Sequence, residues 1–224
     1  MVNLAMNNAM VQSLNLTKHY EIEGGLLSSL VRSKRPIVHA VCDVNLTISR
    51  GETLGLVGES GSGKTTAARA VVGLVPKNRG EMLLNGNELA ARVQDRTSGQ
   101  RAAMRMVFQN PAASLNPRLA IRHSILRSLR KFAGLGRRER LQRAAGLLEA
   151  VGLDPNYLNR LPSELSGGEQ QRVALAGAFA ANPDLIVADE AVSALDVSIQ
   201  AQVLNLLQKQ QREIGTSYIF ISHD

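Results

Sequence analysis

The octet Gly58-Glu59-Ser60-Gly61-Ser62-Gly63-Lys64-Thr65 constrains this chain more than any other stretch. A short apolar run, residues 53 to 57, leads into it, and KTTAARAVVGL leads out with helical spacing up to Gly73. Strand, glycine turn and helix in that order match G-x-x-x-x-G-K-[ST]. Such a turn curls backbone amides around phosphate oxygens because its glycines carry no side chain to obstruct them. On that chemistry Lys64 reaches the outer phosphates, the Thr65 hydroxyl meets Mg²⁺, and the helix start turns its N–H groups toward the anion. Gly58, Glu59, Ser60, Gly61, Ser62, Gly63, Lys64, Thr65 and the next residue, Thr66, are therefore the candidate nucleotide-binding residues. The plain alternative is an ordinary glycine turn.

Two further segments carry chemistry. In residues 185 to 190, LIVADE, the run 185 to 188 reads as a buried strand with two acids just past its end. Ligands of open α/β folds bind at the carboxyl edge of the sheet, so Asp189 is placed to hold magnesium through water and Glu190 to orient or deprotonate an attacking water. A strand that simply stops in solvent gives the same pattern. Residues 165 to 172, LSGGEQQR, set Ser166, Gly167, Gly168 and Glu169 at a helix start. Bare amides and a hydroxyl make that a second anion-binding helix start. The same S-x-x-E spacing is also a capping box, and the two readings are compatible.

The rest of the chain fits an α/β domain. Residues 11 to 16 and 38 to 48 alternate as half-buried strands do, 82 to 84 lead into the Asn85-Gly86 turn, and 104 to 108 read as another strand. Ile121, Ile125, Leu129 and Phe132 form one helical stripe; Leu141, Ala144, Ala145, Leu148 and Val151 form a second. A helix over about 199 to 212 and a strand at 217 to 221 follow. Short apolar strands alternating with helices predict a mostly parallel sheet covered on both faces. No apolar stretch is long enough to span a membrane, and the first ten residues do not read as a secretory signal. With 20% charged and 44% hydrophobic residues, disorder is not expected.

The net charge of +7 is concentrated. Residues 118 to 143 hold nine Arg or Lys against Glu139, giving +8, so the other 198 residues sum to −1. Such a patch faces a polyanion, an anionic lipid surface or an acidic protein, or is a solvated helix face. Three Tyr, four Phe and no Trp poorly supply a base-stacking platform for single strands, and a nucleic-acid partner is not the leading expectation. The single Cys42 leaves no internal disulfide and no zinc site built from cysteines.

LSGGE, the phosphate loop and LIVADE followed by Ser193-Ala194-Leu195-Asp196 together resemble the nucleotide-binding subunits of ABC transporters over residues 14 to 224. VFQNPAASLNPR and DEAVSALDVSIQAQVLNLL are similar, more narrowly, to oligopeptide, dipeptide and nickel importer ATPases, and residues 21 to 37 fall where those carry an insertion. The resemblance implies a P-loop NTPase fold: a mostly parallel sheet, an antiparallel β-subdomain and a helical subdomain inserted at about 110 to 180, all within one nucleotide-binding domain over 1 to 224. It implies ATP and Mg²⁺, with Tyr20 stacking on adenine, Gln109 touching the metal or lytic water, Asp196 at a dimer interface and His223 on the γ-phosphate. Two subunits, identical or not, pair head to tail, so that Ser166, Gly167, Gly168 and Glu169 of one complete the phosphate loop of the other. Two integral membrane permease subunits and, indirectly, a solute-binding protein are the further partners, and the location is peripheral, on the cytoplasmic face of the inner membrane. His19, His39 and His123 match no motif.

Three departures stand out. Gly177 occupies a position usually held by arginine, Ala191-Val192 replace the commoner Pro-Thr, and the chain stops one residue after His223, where the family continues. A C-terminally incomplete cassette is the expectation. A soluble ABC ATPase acting on nucleic acid or ribosomes, and a hydrolysis-deficient fragment, are the competing readings.

Overall fold

The computed structural model describes residues 9–22, 36–191 and 196–222. In chain order the strands are β1 (Ala9–Glu21), β2 (Ile37–Ser49), β3 (Thr53–Val57), β4 (Arg79–Leu84), β5 (Asn87–Glu88), β6 (Met104–Val107), β7 (Leu185–Asp189) and β8 (Ser217–Ser222). The α-helices are α1 (Lys64–Val71), α2 (Ser98–Ala103), α3 (Ile121–Phe132), α4 (Arg137–Ala150), α5 (Gly167–Phe179) and α6 (Val197–Ile214). They form two compact units: described residues up to 48 with 58 to 96, and residues 49 to 57 with 97 to 222.

The first unit is an antiparallel sheet in the order β2-β1-β4-β5 with α1 beside it. Val11 lies opposite Leu84 and Leu14 opposite Glu81. Asn85 and Gly86 take φ of 49° and 75°, the left-handed pair that a tight hairpin turn demands. Met10, Val11, Leu16, Val41 and Met82 are buried with Ala68 and Val71 of α1. Arg96 is buried too, donating from Nε to the Ala90 carbonyl at 3.0 Å, and desolvation lowers its pKa to about 10. β1 runs well past the expected 11 to 16, because the buried polar Thr17 is satisfied by Asp43 Oδ1 at 3.1 Å and the strand continues through it.

The second unit carries a parallel sheet in the order β3-β8-β7-β6, in keeping with the mostly parallel sheet expected from the sequence. Val57 pairs with Ser222, Asp189 with Ile221 and Val107 with Ala188, so the carboxyl ends of all four strands share one edge. All five residues of β7 are buried, which covers both of its faces. Ile125, Leu129, Leu148, Val173 and Leu175 from α3, α4 and α5 pack into one core with Ile186, and Val203 and Leu207 of α6 join it. Burial of each such side chain is worth about 1.5–3 kcal/mol. Tyr218 donates its hydroxyl to the Leu207 carbonyl at 3.0 Å, and burial pushes its phenol well above the ordinary range.

β3 departs from the two-sided cover expected of the sheet: none of its five residues is buried, and Val57 is 68% exposed. α2 was not anticipated: SGQRAA has no apolar stripe, and the helix is held by a capping box in which Thr97 and Gln100 bond each other's backbone N–H.

Candidate functional site

In the first unit the phosphate loop is set by its glycines. Gly63 has φ 91°, and a Cβ there would lie 2.1 Å from the Ala40 carbonyl oxygen, so no side chain fits. Gly63 is also the N-cap of α1, and no side chain caps that helix start. Helix starts with uncapped amides are anion sites, so this loop suits the nucleotide expected there. Lys64 folds back over the loop, donating from Nζ to Gly58 O at 2.6 Å and Glu59 O at 2.7 Å, with Ser62 Oγ at 3.4 Å. Its ammonium thus lies among carbonyls that a phosphate group could outcompete. Tyr20, 40% exposed near the end of β1, has Lys18 Nζ 4.8 Å from its ring centroid.

In the second unit β7 delivers Asp189, 4% exposed, to the carboxyl edge and Glu190 just beyond it. Glu190 has φ 49° and donates its backbone N–H to Ile221 O at 3.2 Å. A non-glycine residue held in the left-handed region costs of order 1 kcal/mol and marks an over-determined position. Gln109, after β6, donates from Nε2 to Glu190 Oε2 at 2.6 Å. The two residues expected to handle the lytic water are therefore in contact, although 81 positions separate them.

Ser166 and Glu169 form the capping box at the start of α5: Glu169 N–H donates to Ser166 Oγ at 3.3 Å and Ser166 N–H to Glu169 Oε2 at 2.7 Å. Glu169 Oε1 accepts from the Tyr157 hydroxyl at 2.6 Å. That bond, followed by the one from the Ser166 backbone, holds the Glu169 carboxyl below its ordinary range, and the same contact raises the Tyr157 phenol. Tyr157 also lies under Arg160, whose Cζ is 3.9 Å from the ring centroid. Sequence reasoning missed Tyr157 because its contact depends on a short 3-10 turn and leaves no periodic signal. It also missed Gln171, fully buried in α5, whose Nε2 donates to Phe108 O at 3.3 Å and so braces the backbone just before Gln109.

Asp196 caps α6, accepting from Ile199 N–H at 3.0 Å and Ser198 Oγ at 2.8 Å, and these bonds lower its pKa. His223 and residues 193 to 195 lie outside the described residues. The basic segment forms a cleft of about 640 Å³ between α3 and α4, lined by Arg122, Arg127, Arg130, Arg137 and Arg140 with Leu119, Leu126 and Leu141. Among the described residues no helix is long and apolar enough to cross a membrane.

The family described as ABC transporter matches residues 41 to 193, a span that holds the phosphate loop, Gln109, the Ser166 to Glu169 box and Glu190. The chain belongs to this family. Among its ABC transporter relatives, the probable peptide ABC transporter ATP-binding protein y4tS of Sinorhizobium fredii is 48% identical over 219 residues, covering 98% of this chain and 61% of that protein. The glutathione import ATP-binding protein GsiA of Escherichia coli K12 is 46% identical over 210 residues, covering 94% of this chain and 33% of that protein. The chain thus spans between a third and three fifths of the length of these relatives. The dimeric post-hydrolysis structure of the ATP-binding cassette MJ0796 bound to ADP and Pi matches with a TM-score of 0.81 at 32% identity, covering 96% of this chain and 88% of that one. The fold is that of an ABC ATPase cassette.

Proposed function

We propose that this chain is the ATP-binding and ATP-hydrolysing part of a transporter that imports peptides or similar small solutes. The observation that carries the hydrolytic reading is the 2.6 Å bond between Gln109 and Glu190 beyond the buried strand β7. The relatives named above, one a probable peptide ABC transporter ATP-binding protein and one a glutathione import ATP-binding protein, support the solute class.

In this reading residues 1 to 224 act as one nucleotide-binding domain, with the helical part at about 110 to 180. Tyr20 stacks on adenine, and the backbone amides from Gly58 to Thr66 hold the phosphates. Lys64 exchanges its bonds to Gly58 and Glu59 for the outer phosphates. Thr65, Gln109 and Asp189 would hold Mg²⁺, which when bound neutralises charge on the phosphate oxygens. Glu190 takes the proton of the attacking water while Gln109 fixes the carboxylate, and His223 contacts the γ-phosphate. Ser166, Gly167, Gly168, Glu169 and Asp196 of a second ATPase subunit complete each site, so hydrolysis follows closure of the pair. Two permease subunits and a solute-binding protein complete the assembly. Peripheral attachment at the cytoplasmic face of the membrane is supported by the arginine-lined cleft, which suits acidic groups near anionic headgroups.

Phosphate release from Mg·ATP by wild type and Glu190→Gln tests the reading. Loss of a general base lowers turnover about 10²-fold or more, with nucleotide retained and closed dimers accumulating. Equal rates in the two proteins would remove Glu190 from the chemistry.

A further inference from the structure

Away from the phosphate loop, the first unit gathers three metal-ligating side chains that no motif explains. His19 lies near the end of β1, and His39 and Cys42 lie on the neighbouring β2. One donor atom of each, two imidazole nitrogens and the thiol sulfur, lie within 4.8 Å of one another. His39 Nδ1 and His19 Nε2 are 3.1 Å apart, and their ring centroids are 4.2 Å apart. Strand pairing brings them together: Asn15 bonds Asn45, Thr17 bonds Asp43, and His19 meets His39, so partners step in opposite directions along the two strands.

We infer that His19, His39 and Cys42 form a binding site for a divalent cation of the zinc class. Two imidazole nitrogens on one tetrahedral zinc stand roughly 3.3 Å apart, and a thiolate sulfur stands roughly 3.6 Å from each, given bonds of about 2.0 Å to nitrogen and 2.3 Å to sulfur. The histidine pair already has that spacing, and the sulfur needs only a small side-chain adjustment. The donor set selects the metal: imidazole and thiolate favour zinc and its neighbours, whereas magnesium and calcium want oxygen. His39 and Cys42 are exposed, so a cation has an entry path. On binding, the Cys42 sulfur gives its proton to solvent and becomes a thiolate ligand. The two histidines bind as neutral imidazoles, and the hydrogen bond between their ring nitrogens is replaced by two bonds to the metal. Three protein ligands leave a fourth position for water. The bound metal then clips β1 to β2 one residue before Tyr20.

Cobalt(II) as a spectroscopic probe, added to the untagged full chain without nucleotide, tests the site, with zinc affinity from calorimetric titration. The expected result is one equivalent of cobalt, with a thiolate-to-cobalt charge-transfer band and the ligand-field bands of a tetrahedral centre. Cys42→Ser removes the charge-transfer band, and Cys42→Ser, His19→Ala and His39→Ala each weaken zinc binding at least tenfold, while His123→Ala binds as wild type. Circular dichroism verifies that each variant is folded, and zinc raises the melting temperature of wild type but not of Cys42→Ser. A wild type without the thiolate band, or a Cys42→Ser variant with unchanged spectrum and affinity, overturns the site.

Discussion

Gln109 Nε2 donates to Glu190 Oε2 at 2.6 Å, joining the segment after β6 to the segment after β7. The bond orients a carboxylate whose backbone is already held at φ 49°. A hydrogen bond to a charged group is worth about 1.5–3 kcal/mol, so Gln109→Ala is expected to lower kcat roughly 10- to 100-fold, with little change in KM. Steady-state phosphate release checks it; a raised KM at unchanged kcat would instead make Gln109 a binding residue.

Lys64 makes its contacts with the carbonyls of its own loop, at 2.6 and 2.7 Å. Lys64 is only half-buried and water can take the place of its partners, so Lys64→Ala is expected to cost no more than about 1 kcal/mol of stability and yet to weaken nucleotide binding at least tenfold. Urea unfolding and titration with a fluorescent ATP analogue separate the two effects. A large loss of stability with unchanged affinity would make Lys64 a loop staple.

The bond from Tyr157 to Glu169 gives a pH signature. The folded carboxyl titrates below its ordinary value, chiefly because of this bond. Its stabilising effect is therefore fully present above the unfolded value of about 4.3 and is lost as pH falls through the lower folded value. Tyr157→Phe is expected to raise the Glu169 pKa and to melt below wild type at neutral pH, with the gap closing in acid. Carboxyl titration by NMR and melting temperatures at pH 7 and pH 3 decide it; a gap that persists at pH 3 points to lost packing instead.

Gly177 lies inside α5, and a Cβ there would approach Ser124 Oγ at 3.8 Å, an ordinary contact. Gly177→Ala is expected to stabilise the chain by about 0.5–1 kcal/mol through the helix backbone alone. A shift of the urea midpoint to lower concentration would show that the approach of α3 needs the glycine.

The strands bounded by the clearest punctuation were legible in the sequence. The run 53 to 57, ahead of a glycine, is a strand with those bounds, and the one read at 185 to 188, ahead of two acids, runs a single residue further, to Asp189. The α3 stripe of Ile121, Ile125 and Leu129 is buried as its spacing predicts. Harder to read was anything set by pairing between distant segments. The edge position of β3 depends on strand order, which apolar content does not encode. His19 and His39 match no motif one at a time, and only the register of β1 against β2 makes them neighbours. Tyr157 and Gln171 act through single hydrogen bonds that follow no period. α2 did leave a signal, the Thr97 and Gln100 spacing of a capping box, but without an apolar stripe to follow.

Both oxygens of Glu169 are engaged inside the fold, one by Tyr157 and one by the backbone of Ser166. Variants at position 169 will therefore look inactive in any growth-based mutational scan, even those that leave nucleotide chemistry untouched. Scoring protein abundance alongside growth would sort them: architectural variants are expected to fall in cellular level, whereas variants at Glu190 are expected to stay abundant and to lose only the proposed ATP hydrolysis.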